Sequence, residues 1–192
     1  MSNLYIFLAE GYEEIEALTV VDLLRRANID IEMVSITGEK MVRGAHGINV
    51  EADVLYEEIK AEEADMLVLP GGMPGTKNLM AQEDLVSNLK QFHEAGKAVA
   101  AICAAPMVLG ENGILEGKKA VCYPGFEANL KGATVLKEEA VTDGNVITSR
   151  GLGTAIEFAG EIITYFLDAK KAPLLGEYNK DGLHTSIYFF YI

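Results

Sequence analysis

Three short runs are apolar along their whole length: Leu4-Tyr5-Ile6-Phe7-Leu8, Met66-Leu67-Val68-Leu69 and Ala98-Val99-Ala100-Ala101-Ile102. A strand with one face in water alternates apolar and polar side chains, so strands without alternation are covered on both faces. Each run ends abruptly, the first near Gly11, the second at Pro70-Gly71-Gly72 and the third at Cys103-Ala104-Ala105-Pro106. Segments with helical spacing lie between them. Parallel strands need such crossovers, so the pattern predicts a three-layer α/β domain with a mostly parallel sheet.

The first helix is predicted over Glu13 to Ala27, with Ala17, Val20, Val21, Leu24 and Ala27 on its apolar face. Glu13, Glu14 and Glu16 crowd its first turn and Arg25 and Arg26 its last, the order that the helix dipole favours. A strand over Asp30 to Ile36 completes a βαβ unit. Met41 to Ala52, with Gly44 and Gly47, reads as a hairpin on one edge. A helix over Gln82 to Ala95 turns Leu85, Leu89 and Phe92 inward, and a short helix starts near Pro106. A strand over Ala120 to Tyr123 precedes a hairpin that turns at Asp143-Gly144 and returns through Val146-Ile147-Thr148. The last helix, Thr154 to Ala169, presents Ile156, Ala159, Ile163 and Phe166 on one face. Residues 1–177 are read as one domain. Residues 178–192, with the turn cluster Asn179-Lys180-Asp181-Gly182 and an aromatic end, form an atypical tail.

Sixteen Lys and Arg against 29 Asp and Glu give a net charge of −13. Nucleic acids and anionic membranes need clustered cations, so neither is expected as a partner. No apolar run approaches a membrane span, and no secretory signal is read at the N-terminus. Two cysteines do not make a disulfide framework, and a cytoplasmic protein with reduced thiols is expected.

Cys103 stands between a buried strand and a helix start, where small neighbours permit a tight turn. The thiol should lie at the carboxyl edge of the sheet, where open α/β folds bind ligands. A helix N-terminus there is expected to lower its pKa. From position alone Cys103 reads equally as a nucleophile or as a buried structural thiol. Glu16 follows the first strand and should reach the same edge. Held against Ile15 and Leu18, its carboxyl group would have a raised pKa, stay protonated and donate to a thiolate. Glu13 and Glu14 read as surface charges. Gly72, after the second buried run, and Ala104 could offer backbone N–H groups as an oxyanion hole. Cys122 reads as a strand-core residue, with a resolving thiol as the alternative.

In combination these segments resemble the ThiJ/PfpI superfamily, most closely its parkinsonism-associated protein deglycase branch. The resemblance rests on Leu8-Ala9-Glu10-Gly11-Tyr12-Glu13-Glu14-Ile15-Glu16, Leu67-Val68-Leu69-Pro70-Gly71-Gly72, Ala100-Ala101-Ile102-Cys103-Ala104-Ala105-Pro106 and Ile147-Thr148-Ser149-Arg150-Gly151-Leu152-Gly153-Thr154. It implies a flavodoxin-like sandwich, usually as a homodimer, with Cys103 the reactive nucleophile and Glu16 its protonated partner. It also implies cofactor-independent action on glyoxal, methylglyoxal or their adducts, through a hemithioacetal on the Cys and a proton shift to a hydroxy acid.

The chain departs from the wider pattern in two places. Residue 104 is Ala where the peptidase branch has His, which disfavours a peptidase. Tyr123 stands where the closest branch often has His, and a Tyr is a poor base at neutral pH. His46 matches a position near the pocket, although a surface hairpin His is the favoured reading. Arg26 could reach an anionic group across a dimer, or be a surface charge. His93 reads as surface, and His184 falls in the tail. No spacing suggests a zinc site or another metal. The alternative function is a redox-responsive stress or chaperone protein that oxidises at Cys103, and a plain binding module ranks last.

Overall fold

A computed structural model describes residues 3–167. The chain runs β1 (Asn3–Leu8), α1 (Glu14–Arg26), β2 (Asp30–Ser35), β3 (Met41–Arg43), β4 (Asn49–Glu51), β5 (Val54–Leu55), β6 (Met66–Leu69), α2 (Gly75–Ala81) and α3 (Glu83–Glu94). It continues through β7 (Ala98–Ile102), α4 (Pro106–Glu111), β8 (Lys119–Ala120), β9 (Thr134–Val135), β10 (Ala140–Asp143), β11 (Val146–Ser149) and α5 (Ala155–Phe166). The main sheet has the order β10-β11-β7-β6-β1-β2-β5. Its neighbours are parallel except at β10, which pairs antiparallel with β11 at one edge. This is a flavodoxin-like arrangement, and the strand order reverses between β1 and β6.

The apolar runs are buried on both faces, as their lack of alternation requires. On β1, Leu4, Ile6 and Leu8 pack under α1 and α5 with Val20, Leu24, Phe158 and Ile162. Tyr5 and Phe7 point the other way and join Leu67, Leu69, Leu85, Leu89 and Leu109 beneath α2, α3 and α4. Each such fully covered Leu or Phe contributes about 2 kcal/mol of transfer free energy, which makes the strand core the main source of stability.

Several boundaries differ from the sequence expectation. The hairpin at Met41 to Ala52 pairs β3 with β4, but as a separate two-stranded sheet rather than an edge of the main one. It docks instead on the β1–α1 connection, where Gly11 N–H donates to Arg43 O and Ala45 N–H to Tyr12 O, each at 2.8 Å. The edge strand is β5. The expected strand at Ala120–Tyr123 is limited to β8, which pairs with the unforeseen β9. Helix α2 was also unforeseen, since it starts at a Gly and spans only two turns. On α5 the buried residues are Ala155, Phe158, Ala159, Ile162 and Ile163, whereas Ile156 is exposed. Of the expected face, Ala159 and Ile163 are buried and Phe166 packs against the core, while Ile156 stands at the exposed border and Phe158 and Ile162 take the core side. The expected extension to Ala169, and the tail 178–192 with His184, lie outside the described residues.

Candidate active site

The carboxyl ends of β1, β6, β7 and β11 converge at one edge of the sheet. Directly after β7, Cys103 has φ 66°. A left-handed conformation costs a residue with a Cβ about 1–2 kcal/mol, so the surrounding structure must impose it. Cys103 N–H donates to Ser149 O at 3.0 Å, and Tyr123 N–H donates to Cys103 O at 2.7 Å. With both peptide groups pinned, the turn feeds into α4 with Pro106 at its first position.

Glu16 reaches this thiol from the first turn of α1 and is 1% exposed. Its Oε2 accepts the Gly71 N–H at 3.0 Å, and it also accepts from the Leu152 backbone and from the Cys103 thiol. The glycine at 71 is required by this approach. A Cβ there would lie 2.5 Å from both Cys103 Cβ and Glu16 Oε2. Gly72 (φ +91°) likewise has no room, since a Cβ would lie 2.4 Å from Glu13 N. The Gly72 and Ala104 backbone groups both interact with the Cys103 sulfur and favour its anion.

Burial dominates the electrostatics. It pushes the Glu16 carboxyl up to about 7, although the hydrogen bonds from Cys103 and Gly71 oppose it. Burial, and then the Glu16 charge, push the Cys103 thiol up to about 12 against the two backbone groups. The expected lowering of the thiol pKa is therefore corrected. Backbone N–H groups do face the sulfur, but desolvation and an adjacent carboxylate outweigh them. Once Glu16 ionises, the pair holds one proton, and the thiol donates it to the carboxylate.

The surroundings of Glu16 also differ from expectation. Ile15 is 50% exposed and does not cover Glu16, whereas Leu18 packs against the core and Gly71, Cys103 and Leu152 touch the carboxyl group itself. Glu14 is no surface charge. It is 3% exposed, and its carboxylate accepts His46 N–H at 2.8 Å and Ile48 N–H at 3.4 Å, with His46 Nδ1 at 3.0 Å. Glu13 Oε1 lies 3.5 Å from His46 Nδ1. Ligand atoms of Glu13, Glu14 and His46 all fall within 4.8 Å of one another, a group that sequence spacing did not suggest because the hairpin brings His46 to α1. His46 is exposed at the rim of this cluster.

Tyr123 is half-exposed beside the elbow, and its ring lies 3.1 Å from the Cβ position of Gly151, itself 3.8 Å from Cys103 Sγ. Arg26 is not brought to the site of its own chain. It sits ten residues beyond Glu16, about 15 Å along α1, and Nε donates to Asp22 at 2.7 Å. His93 is half-buried against Asn145. Cys122 is buried among the residues under α3 and α4, whereas Cys103 packs toward the opposite face of the sheet. Burial first, then Glu127, push the Cys122 thiol up to about 11, which fits a core cysteine. Sequence reasoning placed Gly71 at the site only as part of the Pro70-Gly71-Gly72 turn, without its bond to Glu16, and gave Gly151 and the Leu152 backbone no role there. The glycines themselves were the available signal.

A cysteine on a strained strand-to-helix elbow, paired with a buried carboxyl at the switch edge of a flavodoxin-like sheet, defines an α/β protein built around a single thiol. A family model described as the DJ-1/PfpI family matches residues 2–165. Protein DJ-1 homolog A of Arabidopsis thaliana is 39% identical over 171 residues, covering 88% of this chain but 44% of the plant protein. The chain thus spans less than half the length of that relative. A protein named deglycase from Pyrococcus abyssi is 31% identical over 160 residues, covering 82% of this chain and 95% of its own. The solved structure of oxidized Toxoplasma gondii DJ-1 matches with a TM-score of 0.84 at 34% identity, covering 91% and 96% of the two chains. The chain belongs to the DJ-1/PfpI family.

Proposed function

We propose that this chain is a cofactor-independent enzyme of reactive-aldehyde metabolism, of glyoxalase or deglycase type, acting on methylglyoxal, glyoxal or their adducts. The reading is carried by the Glu16–Cys103 hydrogen bond across the vacant side of Gly71. The deglycase name of an archaeal relative supports it. Cys103 Sγ adds to the aldehyde carbon as its proton passes to Glu16, and the carbonyl oxygen becomes the hydroxyl of a hemithioacetal. Glu16 then moves a proton from that carbon to its neighbour, leaving a thioester. Water cleaves the thioester, returns the thiol and releases lactate, so methylglyoxal plus water balances lactate. The Gly72 and Ala104 N–H groups would hold the sulfur anion before it attacks, and Glu16 would return its proton to the oxyanion that then develops on the aldehyde oxygen, giving the hydroxyl. Tyr123 would line the mouth of the site, and Glu16 would be the base that Tyr123 cannot be.

No helix among the described residues is long and apolar enough to cross a membrane. We assign the working protein as a cytoplasmic homodimer. Ile15, Ile48, Leu152 and Ile156 are each about half-exposed around the Glu14–Glu16 turn, a face that a second copy would cover.

Lactate formation from methylglyoxal by the purified protein and by Cys103→Ser tests the function. Many turnovers are expected in the first and none in the second. A second reading, oxidation sensing at Cys103, draws on the oxidized form of the Toxoplasma relative and on the two N–H groups and Glu16 around the sulfur. Absence of turnover, with Glu16-dependent sulfinate formation, would put that reading first.

A further inference from the structure

The chain leaves β11 at Ser149, runs past the thiol and enters α5 through a single helical turn at Leu152–Thr154. On the way it meets the Cys103–Glu16 pair at several points. Ser149 O accepts the Cys103 N–H at 3.0 Å. Gly151 lies between the thiol and Tyr123, since a Cβ on it would stand 3.8 Å from Cys103 Sγ and 3.1 Å from the Tyr123 ring. The Leu152 backbone donates to Glu16. One short turn is little support for a loop with these contacts, so other bonds must fix its path.

Those bonds come from two hydroxyls. Ser149 is fully buried, and its Oγ stands 2.7 Å from Thr154 Oγ1. Thr154 Oγ1 accepts the Gly151 N–H at 3.1 Å and lies 3.0 Å from Gly151 O. Ser149 Oγ also reaches Glu139 O at 2.8 Å and Thr154 O at 3.2 Å. Each hydroxyl has one proton to give, so two arrangements satisfy the group. Either Ser149 donates to Glu139 O and Thr154 to Ser149, or Ser149 donates to Thr154 and Thr154 to Gly151 O. The bond between the hydroxyls and the one from Gly151 N–H persist in both. Thr154 also stands at the cap position of α5, where a Thr hydroxyl ordinarily accepts an N–H of the first helical turn. It makes no such bond. Its hydroxyl is turned back into the loop instead.

We propose that the Ser149 and Thr154 hydroxyls form a clasp that holds the 149–154 loop against the Cys103–Glu16 pair, with Thr154 as a positioning residue for the reaction. The inference rests on Cys103 and Glu16 being the reacting groups. Cys103 keeps its left-handed φ of 66° only while its peptide groups are held from outside, and the Ser149 carbonyl is one of those holds. Without the Thr154 hydroxyl, the Gly151 N–H loses its acceptor and the buried Ser149 Oγ loses a partner. The loop is then free to move off the thiol. Misalignment of reacting groups slows the chemical step more than it weakens substrate binding, so the loss belongs in kcat.

Thr154→Val keeps the side-chain shape and removes the hydroxyl. Lactate formation from methylglyoxal should lose about tenfold in kcat, with KM within about twofold of the wild type. Thr154→Ser restores the hydroxyl and should return kcat to within about twofold. Ser149→Ala opens the same clasp from its buried side, and carries the test if Thr154→Val does not fold. The double variant should be no slower than the slower single one. Hydrogen exchange gives a readout independent of turnover. In Thr154→Val the Gly151 and Cys103 amides should exchange faster, while the amides of α5, which the hydroxyl does not serve, should stay as they were. Lost protection in α5 with kcat unchanged would make Thr154 an ordinary helix cap and overturn the proposal, as would losses that multiply in the double variant. Full turnover in Thr154→Val overturns the clasp and keeps the activity. A wild type that makes no lactate removes the activity and leaves the clasp to the Cys103 amide, where faster exchange in Thr154→Val supports it and unchanged exchange overturns it.

Discussion

The Gly71 backbone N–H donates to Glu16 Oε2 at 3.0 Å, while the missing side chain of the same residue leaves the space in which Glu16 and Cys103 meet. One residue thus holds the carboxyl and makes room for the thiol. Gly71→Ala would place a Cβ 2.5 Å from both groups, closer than packed atoms tolerate. We expect a loss of about 1–3 kcal/mol in urea unfolding and a fall of about tenfold or more in Cys103 alkylation. Wild-type behaviour in both would show that the gap is not needed.

Glu16→Gln separates the catalytic from the structural role of the carboxyl. If Glu16 takes the thiol proton, the reaction rate rises as pH passes through about 7, and the Gln variant loses this rise along with about a hundredfold or more in rate. Stability should move the other way. The folded chain holds the Glu16 proton up to about 7, whereas the unfolded chain releases it near the ordinary value of 4.5. The carboxyl therefore destabilises the fold progressively as pH rises between those values. Glu16→Gln should be more stable at pH 8 by an amount on the order of 3 kcal/mol, with no gain at pH 4. Paired unfolding curves at the two pH values check this, and a variant less stable at pH 8 would contradict it.

Glu14 anchors the β3–β4 hairpin. Burial alone would raise its carboxyl, but the hydrogen bonds with His46, its own backbone and Ile48 together hold it below the ordinary carboxylate range. Glu14→Gln leaves these donors a poorer acceptor and should cost about 1–3 kcal/mol at pH 7. Because the wild-type contribution is lost as pH falls through the lowered value, the penalty should shrink in strong acid. Hydrogen exchange over residues 41–51 should rise in the variant. Unchanged exchange there would mean that the hairpin is held by its backbone contacts alone.

The exposed Ile15, Leu152 and Ile156 give the dimer proposal its test. Ile156→Glu places a charge where a partner would bury it, which interfaces tolerate poorly. Light scattering should report a dimer for the wild type and a monomer, or a large loss of affinity, for the variant. A monomeric wild type would reassign this face.

The alternation-free runs at β1, β6 and β7 make the layered fold legible in the amino-acid sequence, because burial on both faces leaves a mark on consecutive residues. The Cys103 elbow is legible for a similar local reason: an apolar strand, small residues and a proline stand in one stretch. Glu16 is legible as a second group at the same edge. Local spacing fails where a partner comes from elsewhere in the chain. Glu14 looks like its neighbours in sequence and is buried only because His46 and Ile48 arrive on a hairpin 32 and 34 residues away. On α5 spacing places Ala159, Ile163 and Phe166 on the core side correctly, but not Ile156, because an apolar residue at the border of the stripe is left in water while Phe158 and Ile162 are covered. The turn at Cys103 by itself suggests an acidic thiol, yet its proton is governed by a carboxyl on α1 and by burial. Sequence by itself determined which segments are buried and which residue types reach the edge, since both follow from local pattern. Tertiary structure decided which charges face one another and how far water is excluded, because those depend on distances that only the packed chain sets.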